Sequence, residues 1–394
     1  MKKSKNTTET INRRDILRGG AALAGTMAFG APLFAQGKTV KLGVMMPFSG
    51  GLELFGAQAM QGVEMLVDEM NSAGGVLGRQ LEIIRADNRT DPKTSVERTQ
   101  QLIRRDDVDA VIGPISSAAR DAIKSSIERG RKPLLYATDY EGGVCSDYIA
   151  CYSALPAHYV DPLVPYLMET VGKRVYLFGA DYVWPQKMNI AIRAAVASNG
   201  GEIVGEEYTP FGVKDFATTI RKIEESGADA VILTLPGADG VTFVKQFTAA
   251  GMKAKARLAY PGFNENYLPG LSAAESEGII GCSHFIQTLD RPEAQDFVAR
   301  QKHRYGDDAV VSDVVVAHYS ITKFFLDAMQ RAESDETDKI MAALPGSMTV
   351  ANGEVTLRAA DKHADLNVLL FEVRERKSVM QKYIGKIVAP SQCA

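Results

Sequence analysis

"VDAVIGPIS" (Val108–Ser116) and "ADAVILTLPG" (Ala228–Gly237) decide the fold of this 394-residue chain. Each is a short, near-continuous apolar run that stops at a Pro/Gly loop just before a helical pattern. Strands buried on both faces read this way, and they belong to parallel sheets covered by helices. Working outward, the first copy sits among expected strands at Val40–Met46, Leu81–Ala86, Ala110–Gly113 and Pro133–Ala137. Helical patterns near Ala57–Ala73, Lys93–Asp106 and Ser117–Arg129 separate them; the first sets Val63, Leu66, Val67 and Met70 on one face. The second copy sits among expected strands at Arg174–Gly179, Glu202–Tyr208, Ala230–Leu235, Ala256–Tyr260 and Gly278–Phe285, with helices near Pro185–Ser198, Asp215–Ser226 and Ala238–Ala250.

The same grammar written twice predicts an α/β protein of two Rossmann-like lobes, not one long sheet. Helices at Pro292–Tyr305 and Val314–Arg331 are expected to return to the first lobe, ahead of strand-like segments at Glu354–Leu357 and Asn367–Val373. Crossovers near Leu155–Val160, Phe285–Thr288 and Gly346–Asn352 then make a three-strand hinge. The lobes are drawn as residues 36–156 with 287–347, and 157–286 with 348–394.

Ahead of this body, Arg13 and Arg14 precede a soft, Gly-containing apolar run from Ile16 to Ala35. The pair and the weak run together read as a twin-arginine export signal over residues 1–35, not a membrane anchor. The chain beyond residue 35 is expected in the periplasm. Apolar residues at 45% and charged residues at 24% suit a globular chain. A net charge of −3 gives no electrostatic case for nucleic acid, and no second long apolar segment appears. Four cysteines in an oxidising compartment invite pairing. The short spacing of Cys145 and Cys151 suggests a bridge; whether Cys282 and Cys393 also pair, sequence leaves open.

Ligands of open α/β sheets bind outside the carboxyl ends of the strands. The loops there are "PFSGGLELFG", "GPISSAARD" and "YATDYEGG" from one lobe, and "GADYVWPQ", "LTLPGADG" and "YPGFNEN" from the other. Ser116 and Ser117 open a helix whose free N–H groups favour an oxygen; one of them is expected as a cap and Ser117 as a contact. Thr138 offers a hydroxyl at a strand end, and Tyr136, Tyr140, Tyr182 and Trp184 an aromatic wall. Pro236 and Phe263 are the second lobe's further candidates. Asp139 reads either as a solvated turn carboxylate or, facing inward, as a partner for N–H groups or positive charge.

These loops resemble those of the periplasmic leucine/isoleucine/valine-type binding proteins. "YATDYEGG" and "GADYVWP" are most similar to the branch that takes short amides and urea, with "GVMMPFSG", "GGVLGRQLEII" and "VGEEYTPFG" as further matches. The resemblance implies a two-lobed flytrap that closes on a small polar solute (a short amide, urea or an aliphatic amino acid) and delivers it to an ABC permease with its cytoplasmic ATPase. It carries the roles of ligand hydroxyls to Ser117 and Thr138, and of ligand-facing aromatics to Tyr136, Tyr182 and Trp184. Ile115 and Asp139 depart from that branch's pattern. The same fold could instead serve a sensor that signals to a membrane receptor. No enzymatic motif or metal-binding spacing accompanies the five scattered histidines, so neither catalysis nor a cofactor is expected.

Overall fold

Strand β1 (Val40–Met46) leads through α1 (Glu53–Ser72) to β2 (Leu81–Asp87), and α2 (Pro92–Arg104) to β3 (Ala110–Ile112). Helix α3 (Ser117–Gly130), β4 (Leu134–Tyr136) and β5 (Ile149–Cys151) complete a five-stranded, wholly parallel sheet in the order β2-β1-β3-β4-β5. The computed structural model describes residues 38–393, so the twin-arginine segment expected over residues 1–35 lies outside the described residues. Strands β3 and β4 are three residues each and buried throughout, which is why they read as apolar runs without alternation; β5, equally short and buried, is not among the expected strands.

The chain then passes through α4 (Pro156–Thr170) into a second sheet. Its parallel part comprises β6 (Arg174–Ala180), β7 (Glu202–Thr209), β8 (Ala230–Thr234), β9 (Arg257–Ala259) and β10 (Ile280–Ser283), ordered β7-β6-β8-β9-β10. Helices α5 (Val183–Ser198), α6 (Ala217–Ser226) and α7 (Ala238–Ala249), and the single turn α8 (Ala273–Ser276), connect these strands. Helices α9 (Pro292–Tyr305) and α10 (Asp313–Ala332) return to the first sheet and clasp α1, where Tyr319 donates to Glu69 at 2.6 Å and Arg300 and Arg304 reach Glu69 and Asp68.

After α11 (Thr337–Ala343) come four antiparallel strands: β11 (Gly346–Val350), β12 (Gly353–Leu357), β13 (Ala364–Arg374) and β14 (Lys377–Ile387). β13 joins the two bodies. Just before it, His363 bridges Cys151 at the edge of the first sheet; further on, β13 pairs with β10 in the second.

The sequence patterns do not announce β5, α8 or β11, which are only three to five residues long, nor β14, α11 and α4. β14 is a Lys-rich, mostly exposed edge strand, so it carries no apolar run. α11 is only seven residues long. α4 holds Pro162 and Pro165 in its interior, which normally argue against a helix. Pro162 has no N–H to give the carbonyl of His158, and the Cys282 thiol donates to that carbonyl at 3.4 Å instead.

That contact helps correct the cysteine pairings. Cys145 is bonded to Cys393, while Cys151 and Cys282 are free and buried. Cys151 is the fully buried last residue of β5, so six residues of spacing place it in the core while Cys145 stays on a surface loop. The C-terminal tail comes to that loop: the Gly143 N–H donates to Gln392 Oε1 at 2.7 Å, and the Gln392 N–H to Asp361 at 2.9 Å.

Candidate functional site

The strand-end loops of both sheets meet around one cavity of about 60 Å³. A single water needs roughly 10–15 Å³ of such space, so the cavity suits a solute of a handful of heavy atoms. The first lobe contributes Leu52, Phe55, Ile115, Ser117, Thr138 and Asp139; the second contributes Tyr182, Trp184, Pro236, Tyr260, Asn264 and Tyr267. His284, at the end of β10, and Asp313, at the start of α10, close it near the crossover.

The first-lobe corner is built on Gly113. Its φ of +103° is open to glycine, and a Cβ there would come within 2.2 Å of the Met45 carbonyl. The chain thereby turns Ile115 to Ser117 toward the cavity. Ser116 caps α3 by accepting from the Ala119 N–H at 3.2 Å. Ser117 lines the cavity, yet its hydroxyl donates to Glu141 at 2.7 Å, and Glu141 also meets Arg120 at 3.2 Å. The Ser117 hydroxyl, expected to meet a ligand, is therefore engaged by a carboxylate of the protein itself.

Asp139 lines the cavity and is not a solvated turn residue. Its carboxylate accepts from the Ala154 N–H at 2.8 Å and from the Tyr159 hydroxyl. Burial pushes its pKa up to about 6, against those two hydrogen bonds. Asp313 is also driven well above the ordinary carboxylate range, by burial and by the charges of Asp139 and Glu265; only its Oδ2 is engaged, by Ser283 at 3.0 Å. Asp139, His284 and Asp313 each present a ligand atom within 4.8 Å of the others. Two carboxylates that close repel by about 3 kcal/mol at an effective dielectric of about 20. Burial lowers His284 to about 3, so it stays neutral and supplies no compensating charge.

Four polar atoms of the lining find no partner among the described residues: Thr138 Oγ1, Trp184 Nε1, His284 Nδ1 and Asp313 Oδ1. Buried polar groups are normally paired, so these four mark the face a solute would meet. The donor set answers poorly to a metal ion, because the indole N–H of Trp184 requires an acceptor.

The aromatic wall belongs to the second lobe. Tyr182 stacks on Trp184 with centroids 6.5 Å apart, and Tyr260 and Tyr267 share a hydroxyl contact of 3.1 Å. Phe55 crosses from the first lobe to meet the Tyr267 ring edge-on at 6.0 Å. Three expected contacts stand behind this lining. Tyr136 donates to the Ile115 carbonyl at 3.0 Å, and Tyr140 shares a hydrogen bond of 2.5 Å with His363. Both rings pack beneath the buried Arg120 guanidinium, at 5.0 and 4.3 Å. Phe263 is buried and stacks behind Tyr267 at 5.1 Å. Asp313 and His284 were missed because Ser312–Asp313 looks like an ordinary helix start and His284 a strand end; nothing local distinguishes them.

A profile described as "Periplasmic binding protein" matches residues 39–378. The chain belongs to the periplasmic binding protein family. It is 26% identical over 349 residues to Leu/Ile/Val-binding protein homolog 6 of Brucella melitensis, covering 86% of this chain and 88% of that one. Homolog 7 of Brucella abortus is 24% identical, covering 82% and 84%. Among solved structures, LivJ of Streptococcus pneumoniae in complex with isoleucine superposes with a TM-score of 0.79 at 22% identity, covering 89% of this chain and 99% of that one. A solute-binding protein of an ABC transporter from Rhodopseudomonas palustris HaA2, in complex with p-hydroxybenzoic acid, gives 0.81 at 23% identity, with 90% and 98% covered. The type I periplasmic binding protein fold is thus shared, and this family member is a solute-binding protein, not an enzyme. No helix among the described residues is long and apolar enough to cross a membrane.

Proposed function

We propose that this protein captures a small polar solute bearing N–H groups, of the short-amide or urea kind, and hands it to an ABC permease with its cytoplasmic ATPase. The observation that carries this is the set of unpaired lining atoms, an acceptor at Asp313 and a donor at Trp184, in the wall of one small aromatic cavity. A solute with both N–H and C=O groups satisfies both, and an analogue lacking either leaves a buried group unpaired. Of the solutes suggested by sequence, an aliphatic amino acid fits less well. Its carboxylate would compete with Glu141 for the Ser117 hydroxyl.

Export by the twin-arginine route and hinging near 156/157, 286/287 and 347/348 belong to the same proposal. The Cys145–Cys393 disulfide suits an oxidising compartment. Closure is driven by the difference in solute affinity between open and closed forms. A thermal-shift panel of acetamide, urea and isoleucine tests the reading, since specific binding raises the melting temperature by mass action. Acetamide or urea is expected to raise it and Tyr182→Ala to abolish the response. A shift that survives in the variant removes the cavity from the account.

A further inference from the structure

We propose that the preferred solute is a small organic cation: a protonated amine lodged between Asp139 and Asp313, with a neutral amide or hydroxyl oxygen a few bonds away facing Trp184. This rests on the reading of the cleft as a solute site and names the charge of what enters it.

Charge in the cavity is unbalanced. Every hydrogen-bond donor to the two carboxylates is neutral: the Ala154 N–H and Tyr159 hydroxyl for Asp139, and the Ser283 hydroxyl for Asp313. No lysine or arginine lines the cavity among the described residues. The buried cation behind it, Arg120, is already engaged by Asp121 at 2.7 Å and Glu141 at 3.2 Å. Lys187 lies 3.8 Å from Glu141 as well. Two buried carboxyls held this close either retain a proton or take a positive charge from outside, because a buried charge requires a partner.

The remaining features select an ammonium compound over a metal ion or an anion. Asp313 Oδ1, on a residue only 1% exposed, is unpartnered among the described residues and accepts one N–H. Trp184 Nε1 on the opposite lobe is likewise unpartnered and must donate, which a metal ion cannot satisfy. The rings of Tyr182, Trp184, Tyr260 and Tyr267 offer faces that attract a cation. Glu141 already accepts from the Ser117 hydroxyl, which leaves that hydroxyl no proton to donate to a carboxylate at the start of α3. An amino amide or amino alcohol meets all four conditions, whereas an amino acid fails the last.

The test compares near-isosteres that differ in charge, by isothermal titration at pH 7: glycinamide against glycolamide, and ethanolamine against ethylene glycol, with glycine, urea and isoleucine alongside. A hydrogen bond to a charged partner is worth more than a neutral one by an amount corresponding to roughly tenfold in affinity. Each amine is therefore expected to bind at least about tenfold more tightly than its neutral counterpart, and glycinamide more tightly than glycine. Asp313→Asn should collapse that preference toward unity. Glycolamide binding as well as glycinamide overturns the charge assignment and leaves the solute-binding reading standing, as does a response confined to urea or isoleucine. Zinc or calcium binding with no response to any organic probe overturns it in favour of a metal. No response to anything in the panel overturns both readings.

Discussion

Replacing Thr138 with valine removes one hydroxyl and little else, because the two side chains share their shape and β-branching. Thr138 Oγ1 is buried in the cavity wall and has no hydrogen-bond partner among the described residues, so the fold gains nothing from it. Relieving an unsatisfied hydroxyl is worth about 1–3 kcal/mol at most. For a body of about 350 residues the unfolding entropy is about 0.7 kcal/mol/K, so the ligand-free melting temperature should hold or rise by up to about 4 °C. The solute loses one neutral hydrogen bond worth about 0.5–1.5 kcal/mol, which weakens binding about 2- to 12-fold. Differential scanning calorimetry of the ligand-free protein and titration with its solute read the two effects separately. A variant that melts lower yet binds unchanged would refute the reasoning, because the hydroxyl would then serve the fold and not the site.

The tail, the closed state and the pH response each carry a further prediction. Cys393→Ser opens a link between residues 248 apart and should cost about 2–4 kcal/mol; non-reducing peptide mapping should join Cys145 to Cys393 and find Cys151 and Cys282 alkylated only after denaturation. Gly237 has φ +76° and ψ −151°, and a Cβ there would meet the Gly51 carbonyl of the facing lobe at 2.4 Å. Gly237→Ala should therefore strain the loop by about 1–3 kcal/mol and hinder closure, seen as weaker binding and a larger radius by X-ray scattering with solute present. Asp139 has a folded pKa of about 6 against an ordinary 3.8, so its contribution to stability is present below 3.8 and lost as pH rises through 6. Ligand-free Asp139→Asn should gain on wild type by up to about 3 kcal/mol between pH 4 and 7, measured by denaturant melts; a difference flat with pH would contradict this.

Features were legible in the sequence where their information is local. The paired runs Val108–Ser116 and Ala228–Gly237 contain β3 and β8, because a strand buried on both faces writes its environment into every residue. Thr138, Trp184 and Pro236 line the cavity because loops after parallel strands converge by topology. Tyr136 and Tyr140 carry the same local signature as Tyr182, yet they support Arg120 from behind; only the third dimension separates wall from backing. Asp313 lies 174 residues beyond Asp139 in the chain and reaches it only after α10 returns to α1, so no spacing could announce the pair. Cys145 and Cys393 present the same difficulty at longer range.

A crystal structure of the protein with its solute tests the central claim most directly. The account predicts a small molecule enclosed between the two lobes, with an N–H against Asp313 Oδ1, an oxygen against Trp184 Nε1, and the Tyr182 ring over it. A solute bound on an outer face, with Thr138, Trp184 and Asp313 untouched, would contradict it.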